Sequence, residues 1–374
     1  MSARSQFKSR SSLAASLALT VWGSAFCAAR ADQPGEPPAL LSQTGLYARI
    51  ANQTVAADAL PFAPQYPLWT DGAAKRRWIR LPPGAFIDAS DPAAWVFPAG
   101  TKLWKEFAFG GRRVETRYME KQSDGAWTFA TYAWTDDGKD AERVSQRGRP
   151  NAVETRGGAP HDLPSVADCR VCHLGRPSGV LGFDALQLST DRDPNALHQD
   201  PVPAGGVELA MLVSRGLVRN LPRHLIDRPP RIPARTPRER AALGYFVGNC
   251  SSCHRTSGSL AALGLSFEHD LNATTAADEP ALRTALGKAG SFALPGQQRP
   301  AVRLVPGAPE QSAVLARIGS RDPAVQMPPL GTHLIDDDAA ALVAGWIRDD
   351  LRKPAARRLA ASHAKSPNPE GVTR

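Results

Sequence analysis

The fold is decided by the stretch TKLWKEFAFGGRRVETRYMEKQSDGAWTFATYAW, residues 101–134. Apolar and polar side chains alternate along it with a period of two, which is the pattern of a half-buried strand. Two glycine-containing dipeptides, Gly110-Gly111 and Asp124-Gly125, interrupt the alternation where tight turns are favoured. We therefore predict a β-meander with three strands, over Thr101–Phe109, Arg112–Met119 and Ala126–Trp134.

Aromatic residues extend this β-rich region in both directions. Six of the eight tryptophans fall between Trp69 and Trp134. Further strands are predicted over Arg76–Leu81 and Trp95–Phe97. Tryptophans that alternate along strands are more typical of a core than of a cofactor site. We predict an all-β N-terminal domain, a sandwich or a barrel, over residues 32–158.

Two cysteine pairs carry the clearest chemical signal. They are Cys169-Arg170-Val171-Cys172-His173 and Cys250-Ser251-Ser252-Cys253-His254, and both have the form C-x-x-C-H that is typical of c-type haem attachment. Thiols three residues apart lie about one helical turn from each other. Both can therefore bond to the vinyl groups of one haem, while the adjacent histidine ligates the iron. We predict two covalently bound haems c, with His173 and His254 as axial ligands.

Other uses of paired cysteines fit this sequence less well. A four-cysteine zinc site usually separates its pairs by about 15 to 20 residues, whereas 77 residues lie between Cys172 and Cys250. A thioredoxin-like redox pair needs a single motif in a βαβ setting, and a structural disulfide needs no histidine. Haem attachment is favoured over all three.

Helices are predicted on both sides of the second motif. Thr236-Pro237-Arg238-Glu239 is a capping box with proline at the first helical position, and it opens a helix that leads to the cysteines. Near the end of the chain, Asp336-Asp337-Asp338 supplies an N-cap and first-turn acids for a helix that carries Trp346. We expect Trp346 to pack against the surface formed by Gly244-Tyr245-Phe246.

The loop between these helices contains Met327. Two prolines follow it, and they hold the backbone rigid. Core packing is the commoner use of methionine, but this context is poor core material. We predict that Met327 is the second axial ligand of the iron held by His254.

The sixth ligand of the first iron stays open. Met211 is the first candidate: it lies 38 residues after His173, within a helix predicted over Val207–Arg215, where a core role suits it nearly as well. The histidines that could serve instead are His161, His198 and His224. If none of them ligates, this iron is open to a small molecule.

Residues 236–352 resemble a class I cytochrome c domain, through the helix-to-Cys250 start, LVPGAPEQSAVLARI and MPPLGT. More widely, PLWTDGA, KRRWIRLPPG, FPAGTKLWKEFAF, RRVETRYM and VLGFDALQLS resemble bacterial exported dihaem c-type cytochromes with a β-rich N-terminal domain. The resemblance implies haem content and export. The predicted fold is multidomain: the β domain is followed by mainly α cytochrome c-type haem domains, the first haem-binding segment with a Pro-rich linker over 159–235 and the second over 236–352.

The two ends of the chain are expected to lie outside the folded part. Residues 1–31 combine a positive start, an apolar stretch and an Ala29-Arg30-Ala31 cleavage signal, which predicts a Sec signal peptide cleaved near Ala31 and a periplasmic location. No stable membrane anchor is expected. Residues 353–374 are basic and poor in large apolar side chains, which predicts a disordered tail.

Composition excludes several classes and leaves three functions in view. With 42% hydrophobic residues the chain is neither disordered nor fibrous. The net charge of +9 is spread without basic runs, so we expect no nucleic-acid partner. The leading hypothesis is transfer of single electrons between a redox donor and an acceptor protein. The alternatives are a dihaem peroxidase- or oxidase-type enzyme with an open first haem, and a β domain that binds a substrate or partner and uses the haems as its electron outlet.

Overall fold

The computed structural model describes residues 35–155 and 158–351. The predicted signal peptide and basic tail lie outside the described residues. Within the part of the chain that is described, no helix is long and apolar enough to cross a membrane.

The described strands are β1 Tyr47–Arg49, β2 Thr54–Val55, β3 Leu60–Pro61, β4 Ala74–Arg80, β5 Ile87–Asp88, β6 Lys102–Phe109, β7 Arg112–Lys121, β8 Trp127–Trp134, β9 Ala141–Arg143, β10 Arg149–Glu154, β11 Pro160–Leu163, β12 Val218–Arg219, β13 Ala289–Ala293 and β14 Pro300–Val302. The described α-helices are α1 Val166–His173, α2 Leu209–Ser214, α3 Arg223–Asp227, α4 Pro237–Asn249, α5 Pro280–Ala285, α6 Ala313–Ile318 and α7 Asp337–Gly345, which continues as a π-helical turn over Trp346–Asp350.

A six-stranded antiparallel sheet organises the first half of the chain, in the order β3-β4-β6-β7-β8-β9. The predicted meander is confirmed as β6, β7 and β8. Gly110 and Gly111 both have positive φ, at 57° and 83°, as a two-residue hairpin turn requires. The sandwich or barrel prediction is wrong, because the sheet is open, with β3 and β9 at its edges. Predicted Trp95–Phe97 forms only a single bridge, between Asp88 and Val96.

The alternation of side chains gives this sheet two apolar faces. Leu103, Met119 and Phe129 stand opposite one another on β6, β7 and β8, and they join a core cluster that also holds Val180, Phe183 and Leu212 from beyond the first cysteine motif. On the other face, Trp104, Tyr118 and Tyr132 pack against the N-terminal residues Leu41, Leu46 and Tyr47. One core cluster therefore draws residues from both sides of position 158.

The prediction of mainly α haem domains is wrong. The described structure is mixed, with 23% helix and 22% strand, and it lacks a clear set of haem-domain helices. Proline and glycine explain part of this outcome. In LVPGAPEQSAVLARI, the helix is confined to Ala313–Ile318, because Pro306, Gly307 and Pro309 interrupt the chain before it. The β13–β14 hairpin also lies within residues 236–352, the domain predicted to be mainly α.

Several local helix predictions hold. Thr236 caps α4, and its Oγ1 accepts a hydrogen bond from the Glu239 N–H at 3.1 Å. The reciprocal half of the capping box is replaced, because the Glu239 carboxylate instead accepts from the backbone N–H of Arg235 at 2.7 Å. Asp336 caps α7, and the rings of Trp346 and Phe246 lie 5.8 Å apart.

The Pro-rich stretch from Leu221 to Arg238 packs on two parts of the fold. It includes α3, and Leu225 and Ile232 are buried in two different core clusters. The segment therefore contributes to both cores.

Candidate functional site

The first cysteine motif lies on α1. Ser165 caps this helix reciprocally: its Oγ accepts from the Asp168 N–H at 3.1 Å, and the Asp168 carboxylate accepts from the Ser165 N–H at 2.9 Å. The cap starts the helix at Val166, three residues before Cys169, so Cys169 and Cys172 both fall within it and lie one turn apart. This is the arrangement that attachment of one haem through two thioethers requires.

His173 ends the same helix, and among the described residues only its Nδ1 has a hydrogen-bond partner. Its Nδ1–H donates to the carbonyl oxygen of Gly179 at 2.7 Å, and a backbone carbonyl is a usual partner for the distal nitrogen of a metal-ligating histidine. Burial, reinforced by the charges of Lys105 and Arg117, lowers the pKa of His173 to about 4. The imidazole is therefore neutral at pH 7, with Nε2 available as a ligand.

The loop that orients His173 is held against the sheet. Gly179 has a φ of +72°, and a Cβ at this position would lie 2.5 Å from Nε1 of Trp127. The same Trp127 Nε1–H donates to the Ser178 carbonyl at 3.0 Å. Only glycine allows this close approach to Trp127. The approach places the Gly179 carbonyl within hydrogen-bond distance of the His173 imidazole.

The second motif follows α4 in a turn. Cys250 caps the helix, its N–H donating to the Phe246 carbonyl at 2.8 Å. Burial, together with Cys253, raises the pKa of Cys250 to about 12. The buried Nδ1 of His254 has no hydrogen-bond partner among the described residues, and burial lowers the pKa of His254. The second imidazole is thus neutral but less firmly oriented than the first.

The two motifs meet although 77 residues separate them. A Cβ on Gly175, two residues after the first motif, would lie 2.5 Å from the carbonyl oxygen of Ser252 inside the second. Burial, and next the charge of Cys253, raises the pKa of Cys172 to about 11. The four motif cysteines are free of disulfide bonds in the described structure.

Both motifs open on one cavity of about 580 Å³, within the range of small-molecule and cofactor sites. Cys169, Cys172, His173 and Cys253 are on its wall, whereas Cys250 and His254 are not. From the six-stranded sheet, the residues that line this cavity include Arg77, Lys105, Arg117, Met119 and Phe129, and Pro328–Thr332 line it as well. The rings of Phe129 and His173 lie 5.2 Å apart.

The residues considered as second axial ligands do not line this cavity. Met327 is half-buried and its N–H donates to the Arg317 carbonyl at 2.9 Å; its neighbours Gln326 and Pro328 line the cavity, but it does not. Met211 is on α2 and packs against the first core cluster. His161 and His198 are bonded to Glu115 and Asp336, each at 3.0 Å, and His224 is exposed.

Met119 is the methionine that the structure brings to the cavity and that sequence reasoning missed. It is 6% exposed, and it stands opposite Phe129, which in turn contacts His173. The alternation along β7 places Met119 on the same face as Arg117. That pattern was visible in the sequence, but which face of the sheet would meet the first motif was not.

No protein-family model, curated protein or solved structure matches this chain.

Proposed function

We propose that this protein is an exported dihaem c-type cytochrome that passes single electrons between a donor and an acceptor protein in the periplasm. The observation that carries the proposal is the meeting of the two C-x-x-C-H motifs at one cavity, with Gly175 against the Ser252 carbonyl. The motifs' resemblance to those of bacterial dihaem cytochromes supports the same conclusion.

The residues of the first motif fit a haem. Cys169 and Cys172 are one helical turn apart and unpaired. His173 is neutral and held by its Nδ1–H, which leaves Nε2 for the iron. Bound haem iron supplies a reversible one-electron couple. The sheet excludes water from one side of this site with Phe129 and Leu103, and Met119 is the residue that we assign as the candidate sixth ligand.

The second motif fits with less preorganisation. The buried Nδ1 of His254 has no hydrogen-bond partner in the described part of the chain, and Phe267 packs edge-on against the ring at 5.7 Å between centroids. Met327 stays the predicted second axial ligand here. Contact between the two motifs favours relay from one haem to the other, since electron-transfer rates fall steeply with distance.

The test starts with the number of haems per chain. We expect two after secretion from a host with a c-type haem maturation system, and one each in Cys172→Ser and Cys253→Ser. Val171→Ala is the matched control, because Val171 is exposed within the first motif and its loss keeps the C-x-x-C-H pattern. Absence of covalent haem in the wild-type protein would overturn the proposal.

Redox behaviour separates an electron carrier from an enzyme. Potentiometric titration should resolve two reversible one-electron couples, and the reduced protein should leave carbon monoxide unbound at both irons. If the protein binds carbon monoxide and turns over peroxide, it is a dihaem peroxidase and not an electron carrier. If neither couple is reversible, the carrier role is wrong.

A further inference from the structure

Three basic side chains form a row across the cavity face of the six-stranded sheet. Arg77 on β4 stands opposite Lys105 on β6, and Lys105 stands opposite Arg117 on β7. All three line the cavity onto which both cysteine motifs open. Like charges placed directly opposite on neighbouring strands destabilise a sheet, so the row needs a compensating group.

The protein's own acids compensate this row only in part. Arg117 pairs with the buried Glu115 at 2.7 Å. Arg77 donates to Asp200 at 3.3 Å through Nη1. Its Nη2 has no hydrogen-bond partner in the described structure, and the side chain is only 5% exposed. The Lys105 ammonium lies 4.9 Å from the centroid of the Phe107 ring.

The lowered pKa of Lys105 also indicates that the row lacks a compensating negative charge. Burial, followed by the charges of Arg77, Lys75 and Arg117, lowers its pKa well below the ordinary value. An unpaired buried guanidinium nitrogen and a repelled ammonium both cost free energy. A bound anion that accepted hydrogen bonds from both would remove both costs.

The row lies beside the first motif. All three of its residues line the same cavity as Cys169, Cys172 and His173. The same Arg117 and Lys105 lower the pKa of His173. An anion held by the row would therefore lie next to a group bound at Cys169, Cys172 and His173.

We propose that Arg77, Lys105 and Arg117 form a carboxylate-binding site, and that its carboxylates are the propionates of a haem attached at Cys169 and Cys172. Planar guanidinium groups bind carboxylates through paired hydrogen bonds, and haem propionates need such partners when they are buried. This inference rests on the proposed function, because the propionates arrive with the haem.

Lys105→Met and Arg77→Gln in the secreted, haem-loaded protein test the site by its potential. Each variant removes a positive charge beside the first haem, so the oxidised form is favoured and the midpoint potential of one of the two couples should fall. Arg77→Lys keeps the positive charge, so its midpoint potential should stay close to that of the wild type. Arg112→Gln is the matched control: it removes the same charge from β7, where Arg112 is exposed and bound to Asp136.

Added succinate distinguishes the two possible sources of the carboxylate, a free solute and the haem propionates. If added succinate shifts the wild-type potential and leaves that of Lys105→Met unchanged, the row binds a free carboxylate solute. If the variants shift the potential and succinate has no effect, the propionates are the occupant. With two haems present, no shift in either variant and no succinate effect would overturn the inference. If no haem is attached, the proposed function fails, and the carboxylate site is then judged by whether succinate raises the thermal midpoint of the wild type more than that of Lys105→Met.

Discussion

Gly175 packs so closely on Ser252 that a Cβ atom at Gly175 would lie 2.5 Å from the Ser252 carbonyl oxygen. This contact joins a residue that follows the first cysteine motif to one inside the second. Because the obstructing atom belongs to the backbone, no side-chain rotation can relieve the clash. The distance between the two motifs therefore depends on the absence of a side chain at position 175.

Gly175→Ala should separate the motifs slightly and destabilise the fold. Overpacking a close contact typically costs about 1–3 kcal/mol, and we expect that loss in the free energy of unfolding measured with urea. Gly290→Ala is the control, since a Cβ there meets neighbours only at 3.7 Å or more. Equal stability of Gly175→Ala and the wild type would show that the contact is not tight in solution.

With a haem attached at the first motif as proposed, Met119→Leu should change the ligation of its iron without unfolding the sheet. The swap is nearly volume-conserving and should cost less than about 1.5 kcal/mol. Loss of the thioether should lower one midpoint potential and remove the absorption band of one methionine-ligated ferric haem. Met211→Leu should leave both unchanged, because Met211 packs in the core away from the cavity. The opposite pattern would return the ligand role to Met211.

Glu115→Gln should destabilise the protein strongly. Glu115 is fully buried between Arg117 at 2.7 Å and His161 at 3.0 Å, and removal of one member of a buried ion pair leaves the other charge uncompensated. We expect a loss on the order of 3 kcal/mol in urea unfolding. Glu142→Gln, on the exposed face of β9, should change stability by less than about 0.5 kcal/mol. Similar values for both variants would contradict the network.

Lys75→Met should alter how stability depends on pH. Burial first, then Arg77 and Arg117, lowers the pKa of Lys75 from 10.5 to about 7, while Asp200 and Asp71 oppose the shift. Between these two values the unfolded chain binds the extra proton, so this lysine makes the wild type more stable as pH rises from about 7 towards 10.5.

The variant lacks that contribution. Lys75→Met should therefore exceed the wild type in unfolding free energy near pH 7, by a margin that shrinks as pH approaches 10.5. Chemical unfolding at several pH values measures the difference between the two proteins. Lys139→Met is the control, because Lys139 is 78% exposed. A constant difference across the pH range would mean that Lys75 titrates normally in the folded protein.

Local patterns were enough to predict the meander and the starts of α4 and α7. Period-two alternation and glycine turns act over a few residues, and so do the capping side chains of Thr236 and Asp336. The error in fold class came from extending such signals to whole domains. Prolines in LVPGAPEQSAVLARI and the β13–β14 hairpin limit the helices of the second half, and the MPPLGT loop does not carry Met327 to the cavity.

By itself, the sequence determined the groups that each motif offers for attachment and ligation. These are two thiols and a histidine at fixed spacing, present twice, and the spacing is set within five consecutive residues. Only the tertiary structure decided that the motifs touch through Gly175 and Ser252, and that Met119 and the row Arg77-Lys105-Arg117 face the first of them. A strand pattern says which side chains share a face, but not what packs on that face. That is settled by burial of apolar surface between segments far apart in the chain.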